Sequence, residues 1–443
     1  MKPFRILLAL LMACLAWFLP DASAEVRAGL AIFALAGTLW LTEALPLTFT
    51  ALLVPVAGIL FSVDSTSALL SNFAHPIIFL FLGGFALAAA LGKHGIDHWL
   101  ANRLLYLAGG RALPAALLLS LATALLSMWM SNTATTAMML PLALGLMAPL
   151  GNGYPRFRLF LLLGLAWGAN IGGIATLVGS PPNAIAAAHL GWGFNDWLRI
   201  GMPLFLLLFP LALLLLWFAT RPEAQLPSLG TGSNPAFPDS TAARITMLVF
   251  ALTVGLWVFG GLISPHLGVE EDWDAWVALL AIVLLGISGT LGWEDIERKV
   301  NWGVLLLFGG GITLGSVMQS SGASNFLADG LSAALPGEQP WLIYLLIGAF
   351  AVFLSELVSN TANAALLIPL LTAVATSFGI SADAVAVLIA LCASCAFMLP
   401  VATPPNALVF GTGYVPQQQM IRCGIRMDLL CALLIGLIVP MMM

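Results

Sequence analysis

The chain has 443 residues, 61% of them hydrophobic and only 8% charged, with 15 Lys+Arg against 20 Asp+Glu and a mean hydropathy of +1.03. Soluble domains need about 25% charged residues to coat their surface with water-facing groups, so most of this chain's outer surface must face lipid. A net charge of −5 leaves no basic face for nucleic acid, the apolar content excludes disorder, and five cysteines over this length form no disulfide framework.

The chain opens with Lys2 and Arg5 ahead of an apolar run over 6–19, followed by Ala22-Ser23-Ala24. That pattern resembles a secretory signal with a small-residue cleavage site. Because everything downstream is apolar, the reading adopted is an uncleaved, short first membrane helix over 1–25. Its two cations place the amino terminus in the cytoplasm.

Crossing helices need about 20 mostly apolar residues. They are expected over 26–41, 46–61, 113–130, 135–150, 160–173 and 201–218. A polar stretch over 220–243, rich in Pro, Ser, Gly and Asn, reads as a linker. A second set is expected over 244–264, 276–290, 341–357, 364–378, 384–399 and 429–443. The Gly-interrupted apolar segments 79–93 and 304–319 are expected to form re-entrant hairpins. Trp192, Trp197, Trp273 and Trp302 sit near segment ends, as an interfacial aromatic belt would place them.

The two halves repeat. Leu82-Gly83-Gly84-Phe85 recurs as Phe308-Gly309-Gly310-Gly311, each ahead of a short amphipathic segment near 98–107 and 324–335. LSMWMSNTATTAMMLP from Leu126 recurs as LSELVSNTANAALLIP from Leu354, and GSPPNA from Gly179 as ATPPNA from Ala402. Three blocks in one order indicate a duplicated unit, 26–219 and 244–443, joined by the linker. If each unit crosses the membrane an odd number of times, the second copy is inverted, a recurring build of secondary transporters with the substrate site where the copies meet.

Ser131-Asn132-Thr133 and Ser359-Asn360-Thr361 lie where an apolar run breaks and resumes. Such residues favour caps and turns over helix interiors, and a break within lipid needs a partner for its freed carbonyls. One motif alone reads equally as a helix cap or an interhelical hydrogen bond. Its duplication favours a bound cation, for which hydroxyl, amide and carbonyl oxygens suffice. Ser127 and Ser131 are spaced i, i+4, as are Ser355 and Ser359, so each pair is expected on one helical face.

Ser180-Pro181-Pro182-Asn183 and Thr403-Pro404-Pro405-Asn406 read as starts of half-helices, because Ser or Thr before Pro is a good N-cap; the alternative is a proline kink. A half-helix start inside the membrane presents a positive dipole end to an anion. No charged residue occurs between Arg111 and Arg156 or between Asp383 and Arg422. An anion there must rely on helix ends, hydroxyl and amide donors, and co-bound cations. Glu356, beside Ser355, is the exception and is expected to be structural. Cys392 and Cys395 read as buried packing residues. The His94/His98 pair lacks the Glu of the zinc-protease pattern, and no catalytic constellation lies inside an expected helix, so an enzyme is not expected.

On these residues the chain resembles the divalent anion/sodium symporter family. The segment from Ala393 to Val409 fits that family's signature at Ser394, Phe397, Pro400, Val401, Ala402, Asn406, Leu408 and Val409. Both S-N-T and both Pro-Pro-Asn motifs are present, with Thr42-Glu43-Ala44-Leu45-Pro46 as an early block. The resemblance implies an all-α polytopic membrane protein with about eleven transmembrane helices and two re-entrant hairpins, in two inverted repeats. It also implies a homodimer in a bacterial inner membrane, with moving transport domains of elevator type.

The resemblance further implies two or more sodium ions. One would be held by Ser127, Ser131, Asn132 and backbone near Gly179, another by Ser355, Ser359, Asn360 and backbone near Ala402. A small dicarboxylate would meet Asn132, Thr133, Ser180, Pro181, Asn360, Thr361, Thr403 and Pro404. The implied activity is sodium-coupled import of succinate, malate or fumarate, with sodium-independent exchange, or sulfate or citrate as substrate, as the alternatives.

Overall fold

The fold was read from a computed structural model, which describes all residues except 1, 21, 151–152, 229–233, 270 and 335–338. Every regular element among the described residues is helical. Helix α1 (Lys2–Trp17) comes first. The first repeat then runs α2 (Ala24–Thr42), α3 (Leu47–Leu60), α4 (Thr66–Ser71), α5 (Pro76–Lys93) and α6 (Ile96–Leu107). It continues through α7 (Ala112–Ser127), α8 (Asn132–Met147), α9 (Pro155–Gly172), α10 (Pro181–Leu190) and α11 (Phe194–Thr220).

After the linker come α12 (Thr241–Val258), a short insertion α13 (Gly260–Leu267), α14 (Trp273–Ile287), α15 (Trp293–Lys299), α16 (Trp302–Ser320) and α17 (Ala323–Ala334). The chain ends with α18 (Pro340–Ser355), α19 (Asn360–Ala375), α20 (Ala382–Ala393), α21 (Pro404–Gly411) and α22 (Gln417–Met442). Leaving α13 aside, α12 to α22 match α2 to α11 one for one. The end of the expected amphipathic segment, at Leu335, and the middle of the linker lie outside the described residues.

The contacts exchange between the repeats. Helix α3 packs on α16 while its counterpart α14 packs on α5, and α10 packs on α19 and α20 while α21 packs on α8 and α9. Two bundles result. One contains α2–α5 and α12–α16; the other contains α7–α11 and α18–α22. Helices α6 and α17 link them, and the bundles face each other mainly where α5 and α16 meet α10 and α19. Seven helices among the described residues are long and apolar enough to cross a membrane. Leu206, Phe218, Leu248 and Ile287 stand out from the surface, as a lipid-facing exterior requires. Helix α1 rests on α2, with Ala9 buried against Leu39 and Ala44 and the Arg5 guanidinium donating to the Thr42 carbonyl at 2.8 Å.

Three expectations are corrected. Residues 79–93 and 304–319 are not hairpins but parts of the continuous helices α5 and α16. Their glycines are packing surfaces, because a Cβ on Gly83 would lie 2.6 Å from that of Ala278 on α14, and one on Gly310 would lie 2.5 Å from that of Ala51 on α3. The hairpins lie instead at the S-N-T motifs, where α7 and α8, and α18 and α19, fold back on each other as 16-residue arms. At about 1.5 Å per residue such an arm falls short of a hydrocarbon core roughly 30 Å thick. Finally, Trp197 and Trp273 are core residues: both are buried, with indole N–H groups donating to the carbonyls of Ile174 (3.1 Å) and Leu256 (2.8 Å).

Gly83→Val and Gly310→Val each force α5 from α14 or α16 from α3, which costs about 1–3 kcal/mol. Thermal unfolding of the purified protein in detergent is expected to fall by several degrees for each. Unchanged midpoints would show that these helices do not touch there.

Candidate functional site

Each hairpin ends where its sequence withdraws support for helix. Helix α7 stops at Ser127, and Ser131 restarts the chain as N-cap of α8, its hydroxyl accepting from the Ala134 N–H at 3.2 Å. Ser127 and Ser131 therefore sit on different helices, not on one helical face, because the tip between them unwinds; Ser355 and Ser359 are separated by the second tip in the same way. Helices α9 and α20 also break, at Gly172 and Ala393, and the chain resumes helix at Pro181 and Pro404. The two Pro-Pro-Asn motifs are thus helix starts rather than kinks. Thr403 caps α21 from its side chain, accepting from the Asn406 N–H at 3.3 Å, whereas Ser180 makes no such cap.

The unwound segments are held by the last residue of each motif. The Asn183 amide nitrogen donates to the carbonyls ten and seven residues earlier, Gly173 and Thr176, both at 2.8 Å. Asn406 does the same for Ala396 and Leu399, both at 3.1 Å. Both carboxamides are fully buried. An unpaired carbonyl in such surroundings costs about 1–3 kcal/mol, so each asparagine replaces two helical bonds that the break removes.

Cross-repeat bonds fix the two segments against each other. Asn170 on α9 donates to Ala396 O at 3.1 Å and to Thr403 Oγ1 at 3.3 Å, and Ser394 meets Ser180 through their hydroxyls at 3.1 Å.

The second repeat has an anchor that the first lacks. The Glu356 carboxylate accepts from the Met398 N–H at 2.8 Å and the Leu399 N–H at 2.7 Å, and Asp428 on α22 accepts from the Phe397 N–H at 3.2 Å. Three consecutive amides freed by the break thus end on two buried carboxyl groups. Position 128, the counterpart of Glu356, is a methionine, whose carbonyl accepts from Thr176 Oγ1 at 2.5 Å. The structural role expected for Glu356 is the one observed.

Both tips and both broken segments reach one cavity of about 590 Å³. It is lined by Ser131, Asn132, Thr133, Gly179, Ser180, Pro181, Ser359, Asn360, Thr361, Ala402, Thr403 and Pro404, which is every predicted site residue except Ser127 and Ser355. Those two are buried behind the tips. The bundle of α2–α5 and α12–α16 closes the opposite wall with Glu43, Phe81, Phe85, Asn301 and Val304. Among the described residues no Lys or Arg lines the cavity, and four helices, α8, α10, α19 and α21, begin at it.

Oxygen atoms gather behind each tip. The Ser127 hydroxyl lies 2.6 Å from Asn132 Oδ1 and 2.8 Å from the Ala169 carbonyl, yet its single proton serves only one of them. Gly173 brings Gly179 O to the same place, since a Cβ there would lie 2.7 Å from Asn132 Oδ1 and 3.0 Å from that carbonyl. Behind the second tip, the Ser355 hydroxyl lies 2.7 Å from Val352 O and 3.3 Å from Cys395 O; Asn360, which lines the cavity, has a buried Oδ1 with no hydrogen-bond partner. More acceptors than donors, all neutral oxygen, suit a hard monovalent cation. Among the described residues no group of three His, Cys, Asp or Glu side chains converges as a metal site.

Sequence reasoning quoted Asn183 and Asn406 without giving them a role, and it missed Asn170 and Asp428. The available signal was an isolated polar residue within a long apolar run. Asn406→Asp keeps the shape but turns two donors into repulsive acceptors; it is expected to destabilise the protein by about 1–3 kcal/mol, as is Asn183→Asp. Unfolding midpoints equal to wild type in both would contradict the anchoring role.

The sequence profile of the citrate transporter family matches residues 38–393. An uncharacterized transporter of Haemophilus influenzae is 44% identical, the match covering 93% of this chain and 91% of that protein. A protein named sodium-dependent dicarboxylate transporter SdcS, of Staphylococcus saprophyticus, is 32% identical over 93% of this chain and 85% of its own. The solved structure of the Alcanivorax borkumensis YdaH transporter shares the fold, with a TM-score of 0.61 at 16% identity over 85% and 87% of the two chains. A duplicated helix order, broken helices around one cavity and these relatives converge: the chain is a multi-pass membrane protein of the citrate transporter family, akin to the divalent anion/sodium symporters.

Proposed function

We propose that the protein is a sodium-coupled symporter that imports C4-dicarboxylates such as succinate, malate or fumarate. The observation that carries this reading is the cavity itself: two S-N-T tips and four helix starts surround a space with no lysine or arginine among the described residues. Two sodium ions behind the tips would supply the positive charge that a dianion needs. The first would take Ser127, Ser131, Asn132 and the Gly179 carbonyl; the second would take Ser355, Ser359, Asn360 and the Ala402 carbonyl. With the cations in place, Asn132, Thr133, Ser180, Pro181, Asn360, Thr361, Thr403 and Pro404 would hold the two carboxylate ends. A relative at 32% identity named for sodium-dependent dicarboxylate transport supports both the coupling and the substrate class.

Ordering follows from electrostatics. A dianion gains little from neutral amides and hydroxyls against the cost of leaving water, so the cations bind first and draw the tips into the shape the anion requires. The division into two bundles supports an elevator motion, in which α7–α11 and α18–α22 carry the loaded site past α5 and α16. In this reading residues 26–219 and 244–443 are inverted repeats, and the bundle of α2–α5 and α12–α16 forms the contact between two copies in a bacterial inner membrane, with the amino terminus in the cytoplasm. Citrate is the second substrate class, favoured by the family description.

Succinate uptake into proteoliposomes is the test. Uptake is expected with an inward sodium gradient and not with an equal potassium gradient. Asn132→Ala and Asn360→Ala, each removing an amide that serves both cation and anion, are expected to abolish it while the proteins stay folded. Equal uptake in both salts would overturn sodium coupling, and normal kinetics in either variant would show the site misplaced.

A further inference from the structure

Helix α2 ends in a form that its sequence does not favour. The Ala44 N–H donates to Leu39 O and the Glu43 N–H to Trp40 O, and Ala44 packs with Leu39. This is the six-to-one and five-to-two bonding of a Schellman ending, which places the residue after the cap in the left-handed region and strongly prefers glycine there. The residue is Glu43, at φ 49° and ψ 38°. A side chain present where glycine would remove backbone strain calls for another role. The Glu43 side chain is exposed and lines the cavity, and among the described residues it is the only Asp, Glu, Lys or Arg in that lining. Arg5 reaches the neighbouring Thr42 carbonyl, but no ion pair holds Glu43 among the described residues.

We propose that Glu43 sets the order of binding: its carboxylate, fixed on the bundle opposite the tips, draws monovalent cations into the cavity and opposes an anion until they have bound. The inference rests on the symporter reading above. A negative charge in the lining of an anion site is unfavourable for the anion alone. It becomes useful when cations must arrive first, because a single-sign charge in a cleft with low-dielectric walls concentrates its counter-ion. The left-handed corner fixes the direction in which the Glu43 side chain leaves the backbone, at a position that lines the cavity.

The test is sodium binding by the purified protein without any anionic substrate. It is read as the thermal stabilisation produced by NaCl, with choline chloride holding ionic strength constant. The wild type is expected to show a saturable midpoint. Glu43→Gln and Glu43→Gly are each expected to raise that midpoint at least threefold, and Glu43→Gly is expected to unfold at the same or a higher temperature than wild type in choline, because it relieves the left-handed strain. Raising the background choline chloride is expected to shrink the difference between wild type and variants by screening. A merely structural corner would be served at least as well by glycine, so a wild-type sodium midpoint in Glu43→Gly overturns the proposal and leaves the symporter reading standing. A wild type with no sodium response overturns both.

Discussion

Everything at the centre of this protein depends on satisfying backbone that has been taken out of helix inside an apolar interior. A broken helix frees carbonyls and amides that water cannot reach, and each must find a partner or the fold loses its margin. Asn183 and Asn406 meet this constraint with the same pair of bonds in each repeat, to carbonyls ten and seven residues back. Glu356 and Asp428 meet it for three amides in the second repeat alone. With the unwound chain held from behind, Gly179, Ser180, Ala402 and Thr403 are left lining the cavity.

The same device removes the need for basic residues. In the proposed transport cycle, a guanidinium clamp in a site opening in turn to each side of the membrane would be buried without its partner after every release, at the high cost of an unpaired charge. Neutral oxygens leave no such charge when cation and anion depart. Under the proposed function the price would be dependence: such a site would bind a dianion weakly until cations sit beside it. Scarcity of charge in the composition, which first marks the chain as a membrane protein, is therefore also a property of the site.

Much of this was legible in the sequence because duplication makes weak signals strong. One S-N-T reads as a helix cap; two, each followed by a Pro-Pro-Asn motif in the same order, mark the tips and helix starts, and the family resemblance those motifs carry implied the twelve residues that line the cavity and the two buried behind the tips. The hairpins were misplaced because glycine marks both chain breaks and close helix packing, and composition does not separate the two. Gly83 and Gly310 turn out to be packing contacts, while the breaks follow from Ser and Asn. The shared helical face inferred for Ser127 and Ser131 failed because i, i+4 spacing implies a common face only where the helix continues. Asn170 and Asp428 escaped notice because their partners lie 226 and 31 residues away, a distance no local pattern reports.

The central claim is that cations supply the charge that the protein does not. Equilibrium binding of radiolabelled succinate to the purified protein, at one ionic strength with sodium or choline as the cation, measures it directly. The account predicts binding that strengthens by at least tenfold between choline and saturating sodium. Equal affinity in the two salts would contradict it.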